Sequence, residues 1–229
     1  MKNIGSPKAA LFTVVLIALS IMPTMQAATI WTNWTSATLG SPGSASGTLG
    51  GATVSYSGEV NVNTVINGTS PDWSDPASSF IGGTVSTSPS AVGDIIALNG
   101  SFTGTNTLSF SSPIVNPVFA IWSLGQPALP ASFTFNATPT FEAGGPDAFG
   151  GGAITVLGDV VSGGEGSGVV QFTGDFTSIS WTDTPENFYG FTVGEAGAVS
   201  ATPEPAALTL FGAGFAALAL MLGRRKQRS

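Results

Sequence analysis

At 229 residues the chain has room for one ordinary domain and its flanking segments. Its net charge is −7, it has no His and no Cys, and all six basic residues stand at the ends: Lys2 and Lys8, then Arg224, Arg225, Lys226 and Arg228. Residues 9–223 therefore hold every Asp and Glu and no cation, which argues against nucleic acid as a partner and excludes disulfides, internal ion pairs and every mechanism built on His, Cys or Lys.

The first element in chain order is an export signal. Lys2 and Lys8 precede an apolar run, AALFTVVLIALSIM, from Ala9 to Met22. Pro23 breaks the run and small residues follow in QAA. A basic start, an apolar stretch and a small-residue site make a secretory signal peptide over residues 1–27, in the form of a helix. Cleavage is expected after Ala27, with Ala28 as the neighbouring option.

Residues 28–195 show no helical period. Short apolar alternations lie between turn residues: Val54 and Tyr56; Val60 and Val62; Leu108 and Phe110; Val118, Ala120 and Trp122; Phe133 and Phe135. Ile154 and Val156, Val170 and Phe172, Ile179 and Trp181, and Tyr189, Phe191 and Val193 continue the pattern. Period two marks half-buried strands, about nine or ten of them. The expected fold is all-β, a single antiparallel β-sandwich of jelly-roll-like type, with a barrel or another two-sheet arrangement as the alternative. Three glycine-rich stretches are expected as loops: Ser36 to Gly51, Ala143 to Gly152 and Ser162 to Gly168.

Carboxylates are the only acid–base groups in this domain. A glycosidase needs two across a cleft, and Asp72 with Asp75 or Asp183 with Glu186 are the pairs close in sequence. Each pair has an odd separation and a proline within or beside it, so both read as loop carboxylates. No metal site of His or Cys can form, and no cofactor is expected. Calcium, which takes oxygen ligands, is the cation the composition allows, and Asp147, Asp159, Glu165 and Asp175 gather around the glycine-rich stretches. Trp31, Trp34 and Trp73 lie in turn-rich sequence, where they either stack on sugars or cap the core.

Residues 196–202 form a short small-residue linker. The tail, residues 203–229, has three parts. Pro203, Glu204 and Pro205 come first. Residues 206–223 then hold no charge and one polar residue, Thr209. At 1.5 Å per residue this run spans about 27 Å as a helix, close to the hydrocarbon core of a bilayer. Its large apolar residues supply on the order of −3 to −4 kcal/mol of transfer energy, modest for a lasting anchor. Arg224, Arg225, Lys226 and Arg228 then mark the cytoplasmic side.

Pro-Glu-Pro, an apolar span and an Arg-rich terminus together closely resemble the PEP-CTERM sorting signal. The same kind of tail is also classified under an ice-binding-protein C-terminal name, which concerns the tail and does not imply ice binding. The resemblance covers about the last 27 residues. It implies processing by exosortase, an integral-membrane cysteine protease-transpeptidase, with Pro203, Glu204 and Pro205 as the sorting motif and Arg224, Arg225, Lys226 and Arg228 as the cytoplasmic stop. It also implies export across the inner membrane of a Gram-negative bacterium, temporary retention by the C-terminal helix, and passage to the cell surface or matrix. NPVFAIWSLG, FTFNATPTF and GVVQFTGDFTSISWT are similar to a recurrent domain of such proteins that has no assigned activity.

The function expected on these grounds is that of a non-enzymatic exported surface or matrix protein associated with exopolysaccharide. The alternatives are a carbohydrate-binding module using exposed Trp and a carboxylate glycosidase.

Overall fold

The computed structural model describes residues 28–91 and 93–197. Ala27, the Pro203–Glu204–Pro205 motif, the apolar span and the basic cluster from Arg224 to Arg228 lie outside the described residues. Ala28 is the first described residue and is exposed.

Fifteen strands follow in order: β1 (Ile30–Trp31), β2 (Asn33–Thr38), β3 (Gly40–Leu49), β4 (Ala52–Val60), β5 (Ile96–Leu98), β6 (Asn106–Val115), β7 (Pro117–Leu124) and β8 (Ala131–Phe135). Then come β9 (Thr140–Gly145), β10 (Gly152–Ala153), β11 (Thr155–Leu157), β12 (Val160–Gly163), β13 (Gly166–Gln171), β14 (Asp175–Asp183) and β15 (Tyr189–Glu195). The only helical element among the described residues is a 3₁₀ turn, Ala77–Phe80. Among them no helix is long and apolar enough to cross a membrane.

The strands form two sheets. One has seven strands, in the order β1-β15-β7-β13-β10, with β5 also on β15 and β9 also on β13. The other has eight, in the order β11-β12-β8-β14-β6-β4-β3-β2. Nearly all pairings are antiparallel; β10 with β13 is parallel. The all-β two-sheet architecture expected from the alternation is therefore present.

A single aromatic seam joins the sheets. Phe119 of β7 meets Phe133, Phe135, Trp181 and Phe191 at ring-centroid distances of 6.1, 5.2, 5.1 and 5.0 Å. Tyr56 stacks on Trp181 at 5.8 Å and meets Phe191 edge-on at 5.1 Å. All six rings are buried. Each such ring contributes about 1.5–3 kcal/mol by leaving water, and edge-to-face pairing adds to that.

β7 is buried along its whole length, on both faces. Phe119 and Ile121 enter the inter-sheet core, while Val118, Ala120 and Trp122 join a second cluster with Trp73, Phe80, Val85, Ile95 and Val169. The chain between β4 and β5 thus covers the outer face of the seven-stranded sheet. This explains why alternation selects either phase of this strand equally well.

Four of the expected strand and loop limits need correction. Val62 is not part of a strand face with Val60; it lies beyond β4 and is 76% exposed. Ser36 to Gly51 is not a loop but most of the β2–β3–β4 meander. Ala45, Gly47 and Leu49 all turn inward there, a period of two hidden because two of the three side chains are small or missing. Glycine is required at 47, since a Cβ would stand 2.4 Å from the Asn33 carbonyl oxygen. Ser162 to Gly168 likewise holds the end of β12, the Gly164-Glu165 turn that carries the chain from one sheet to the other, and the start of β13, and Ala143 to Gly152 holds the end of β9 and the start of β10.

Candidate functional site

The loop from Thr184 to Phe188 carries the chain from the eight-stranded sheet to the seven-stranded one, and two carboxyls pushed well above their usual range, Asp183 and Glu186, lie at it. Backbone bonds fix the loop. The Thr184 N–H donates to the Ser132 carbonyl at 3.1 Å and the Glu186 N–H to the Asn99 carbonyl at 2.9 Å. The Ser132 N–H returns a bond to Thr184 Oγ1 at 2.8 Å, and the Tyr189 hydroxyl donates to the Thr184 carbonyl at 3.1 Å.

Asp183 lies on one side of this loop. Its Oδ1 accepts from Asn106 Nδ2 at 3.2 Å, and its Oδ2 is buried without a partner. Asn106 Oδ1 in turn accepts from the Tyr56 hydroxyl at 2.7 Å and the Glu59 N–H at 2.9 Å. The buried Glu59 carboxylate sits among donors: the Asn99 and Ser101 N–H groups, each at 3.2 Å, and Ser101 Oγ at 2.8 Å. Burial pushes the Asp183 carboxyl up to about 6, the Glu59 charge adds to this, and the nearby Tyr189 hydroxyl and the bond from Asn106 oppose it. Burial and the neighbouring Asp183 charge also raise the Tyr189 hydroxyl far above its usual range.

On the other side lies Glu186. Its Oε1 accepts from the Phe188 N–H at 3.1 Å, and its Oε2 is buried without a partner. Burial pushes this carboxyl up to about 7; the Glu165 charge adds to the shift, while the N–H groups of Phe188 and Gly125 oppose it. Glu165, in the β12–β13 turn, accepts a short bond from the Ser123 hydroxyl at 2.5 Å. Ser123 and Glu165 both adopt left-handed backbone, φ 56° and 66°, rare for residues with a side chain.

Next to Glu186 stands a small aromatic corner. Trp122 meets Phe149 at 5.6 Å and Phe188 at 5.5 Å, and Phe149 meets Phe188 edge-on at 6.4 Å. Trp122 is buried and Phe188 half-buried, but Phe149 is 62% exposed.

The residues singled out from sequence are distributed unevenly around this rim. Asp183 and Glu186 are both there, yet each has its own partners. Asp72 is half-buried; burial raises its carboxyl, the bond from Ser70 opposes this and the Asp147 charge adds to it, while Asp75 is exposed. The candidate calcium ligands do not assemble. Asp147 is engaged with the Phe149 N–H and the Ser167 hydroxyl, at 2.8 and 2.9 Å, and Glu165 with Ser123. Asp159 lies between β11 and β12, and Asp175 opens β14 opposite Val115. Among the described residues no three carboxylates are placed to hold a metal ion.

Sugar stacking through Trp34 or Trp73 is overturned, since both are fully buried. Trp34 donates its indole N–H to Thr192 Oγ1 at 3.1 Å inside the core. Trp31 is half-buried and donates to the Thr87 carbonyl at 2.9 Å. Phe141 is exposed, at 48%, and the most exposed aromatic among the described residues is Phe149, at 62%, inside the glycine-rich GGPDAFGGG stretch. The sequence signal that could have found it is its place as the one large side chain in a turn.

Comparison with protein-family models, with curated proteins and with solved structures finds no match for this chain.

Proposed function

We propose that the chain is a non-enzymatic, exported surface or matrix protein, sorted through a PEP-CTERM-like tail and associated with exopolysaccharide. The observation that carries this reading is the division of charge along the chain. A folded all-β unit without one Lys, Arg, His or Cys is followed by Pro203-Glu204-Pro205, an uncharged run and a basic cluster. Such a unit depends on packing and hydrogen bonds alone, and it repels anionic polymers instead of sticking to them. The jelly-roll-like order and the two terminal helices belong to the same proposal. β14 between β6 and β8, and β7 between β15 and β13, support the former by placing strands distant in sequence side by side.

The test is fractionation of host cells with and without their exosortase, with mass measurement of both ends of the chain. The expected mature protein starts at or next to Ala28. It loses the segment after Pro205 when exosortase is present and keeps it, in the membrane fraction, when exosortase is absent. A chain that retains Met1 through Ser229 in both strains overturns the reading.

A further inference from the structure

The corner formed by Trp122, Phe149 and Phe188 is built in a way that core packing does not explain. The turn carrying Phe149 is closed on itself. Asp147 and Gly150 exchange two backbone bonds, at 2.9 and 3.0 Å, and the buried Asp147 carboxylate holds the Phe149 N–H and the Ser167 hydroxyl. Gly151, at φ 66°, has no room for a Cβ, which would stand 1.7 Å from the Glu165 carbonyl oxygen. The turn is thus fixed from below by several devices, and the only large side chain it presents is mostly in water. An aromatic ring held rigidly at the surface loses little freedom when something stacks on it.

The polar groups beside the rings are acceptors. Glu165 and Glu186 flank the corner, and no cation exists anywhere in residues 28–197. Glu165 is half-buried and holds only the Ser123 hydroxyl among the bonds described above, and a carboxylate has room to accept a further hydroxyl. The exposed aromatic surface amounts to one phenyl ring and part of a second. That is far below the roughly 800 Å² per partner of a specific protein interface, but it matches the face of one pyranose ring.

We propose that this corner is a binding site for a neutral hexose polymer. A sugar ring stacks on the exposed Phe149, with Phe188 edge-on beside it, while its hydroxyls donate to the half-buried Glu165. The carboxylates repel uronic acids, so the site selects against acidic polysaccharides. The corner also stands at the start of β15, whereas the chain leaves the domain at Glu195, about 20 Å further along that strand. The proposal rests on the reading of the protein as an exported, polysaccharide-associated one, and it names the ligand class and the site.

The test uses the full chain purified in detergent and a panel of hexasaccharides: cellohexaose, laminarihexaose, maltohexaose, mannohexaose and hexagalacturonate. Binding is read by calorimetry and by Trp fluorescence. At least one neutral oligomer is expected to bind and hexagalacturonate is not. Phe149→Ala is expected to weaken binding roughly tenfold, and Phe149→Trp to preserve it. Unchanged melting temperature and near-ultraviolet dichroism in Phe149→Ala would show that the loss is local. Binding by no neutral oligomer, equal affinity in Phe149→Ala, or equal affinity for hexagalacturonate overturns the proposal. Absence of sugar binding leaves the sorting reading intact. Conversely, an unprocessed chain that still binds a neutral oligomer removes the sorting reading and keeps the site.

Discussion

Asp183 and Glu186 place two carboxyls where water cannot fully solvate their charge and no cation can replace it. Both have folded-state values above the ordinary carboxylate range, about 6 and about 7. The folded state therefore holds these protons more tightly than the unfolded chain does. Their contribution to stability is complete below the ordinary carboxylate range. It is lost as pH rises, between about 4 and 6 for Asp183 and between about 4.5 and 7 for Glu186. After discounting for solvent screening, the loss is on the order of 1 kcal/mol for each group. Glu186→Gln keeps an oxygen for the Phe188 N–H and removes the charge. It is expected to raise the melting temperature at pH 8 and leave it nearly unchanged at pH 4. Thermal melts of both proteins across this range check the prediction; equal gains at both pH values would exclude the charge as the cause. The sequence pointed to this pair by spacing, but not to their burial. Burial, and the neighbours that act on the buried groups, Glu59, Asn106 and Glu165, come from strands and a turn distant in sequence. Phe149 was hidden for the opposite reason: glycine on both sides reads as a loop, and nothing local tells that Asp147 and Ser167 lock the turn.

At the scale of elements, most strands were legible because their inward side chains are large. Val54 and Tyr56, Phe133 and Phe135, and Tyr189, Phe191 and Val193 announce strands that the structure contains. β3 and the start of β13 were not legible, since glycine occupies inward or tightly packed positions there. In both, the missing side chain makes room for a neighbouring backbone: Asn33 beside Gly47, and Ala143 beside Gly168. Gly47→Ala puts a methyl 2.4 Å from the Asn33 carbonyl oxygen and 2.9 Å from the Trp34 Cα, and the backbone must move. A cost of roughly 1–3 kcal/mol is expected. Gly51→Ala meets nothing within 4 Å and needs no unusual backbone angle, so its effect should stay within about 0.5 kcal/mol. Denaturant unfolding of the two variants separates a strand position that needs glycine from a turn position that merely contains it. Equal effects would mean that the β2–β3 contact is not as close as described.

For the molecule as a whole, the absence of cations turns electrostatics into a single-signed term. Residues 28–197 carry every Asp and Glu except Glu204 and nothing to pair them with. Folding brings these charges closer together than they are in the unfolded chain, so at neutral pH their mutual repulsion opposes the compact state. The buried aromatic seam and the two sheet ladders must outweigh it. Salt shortens the range of the repulsion to about 10 Å at 0.1 M and about 3 Å at 1 M. Raising sodium chloride from low concentration to 0.5 M at pH 8 is therefore expected to raise the melting temperature. A gain of about 1 kcal/mol would appear as roughly 2–4 °C for a domain of this size. At pH 4, where many of the carboxylates are protonated, the gain should shrink. The comparison of the two pH values matters more than either alone, because salt also strengthens burial of apolar surface, and that part does not depend on carboxylate charge. A gain of the same size at both pH values would assign the effect to apolar burial and show that the fold carries its unpaired charges at little cost.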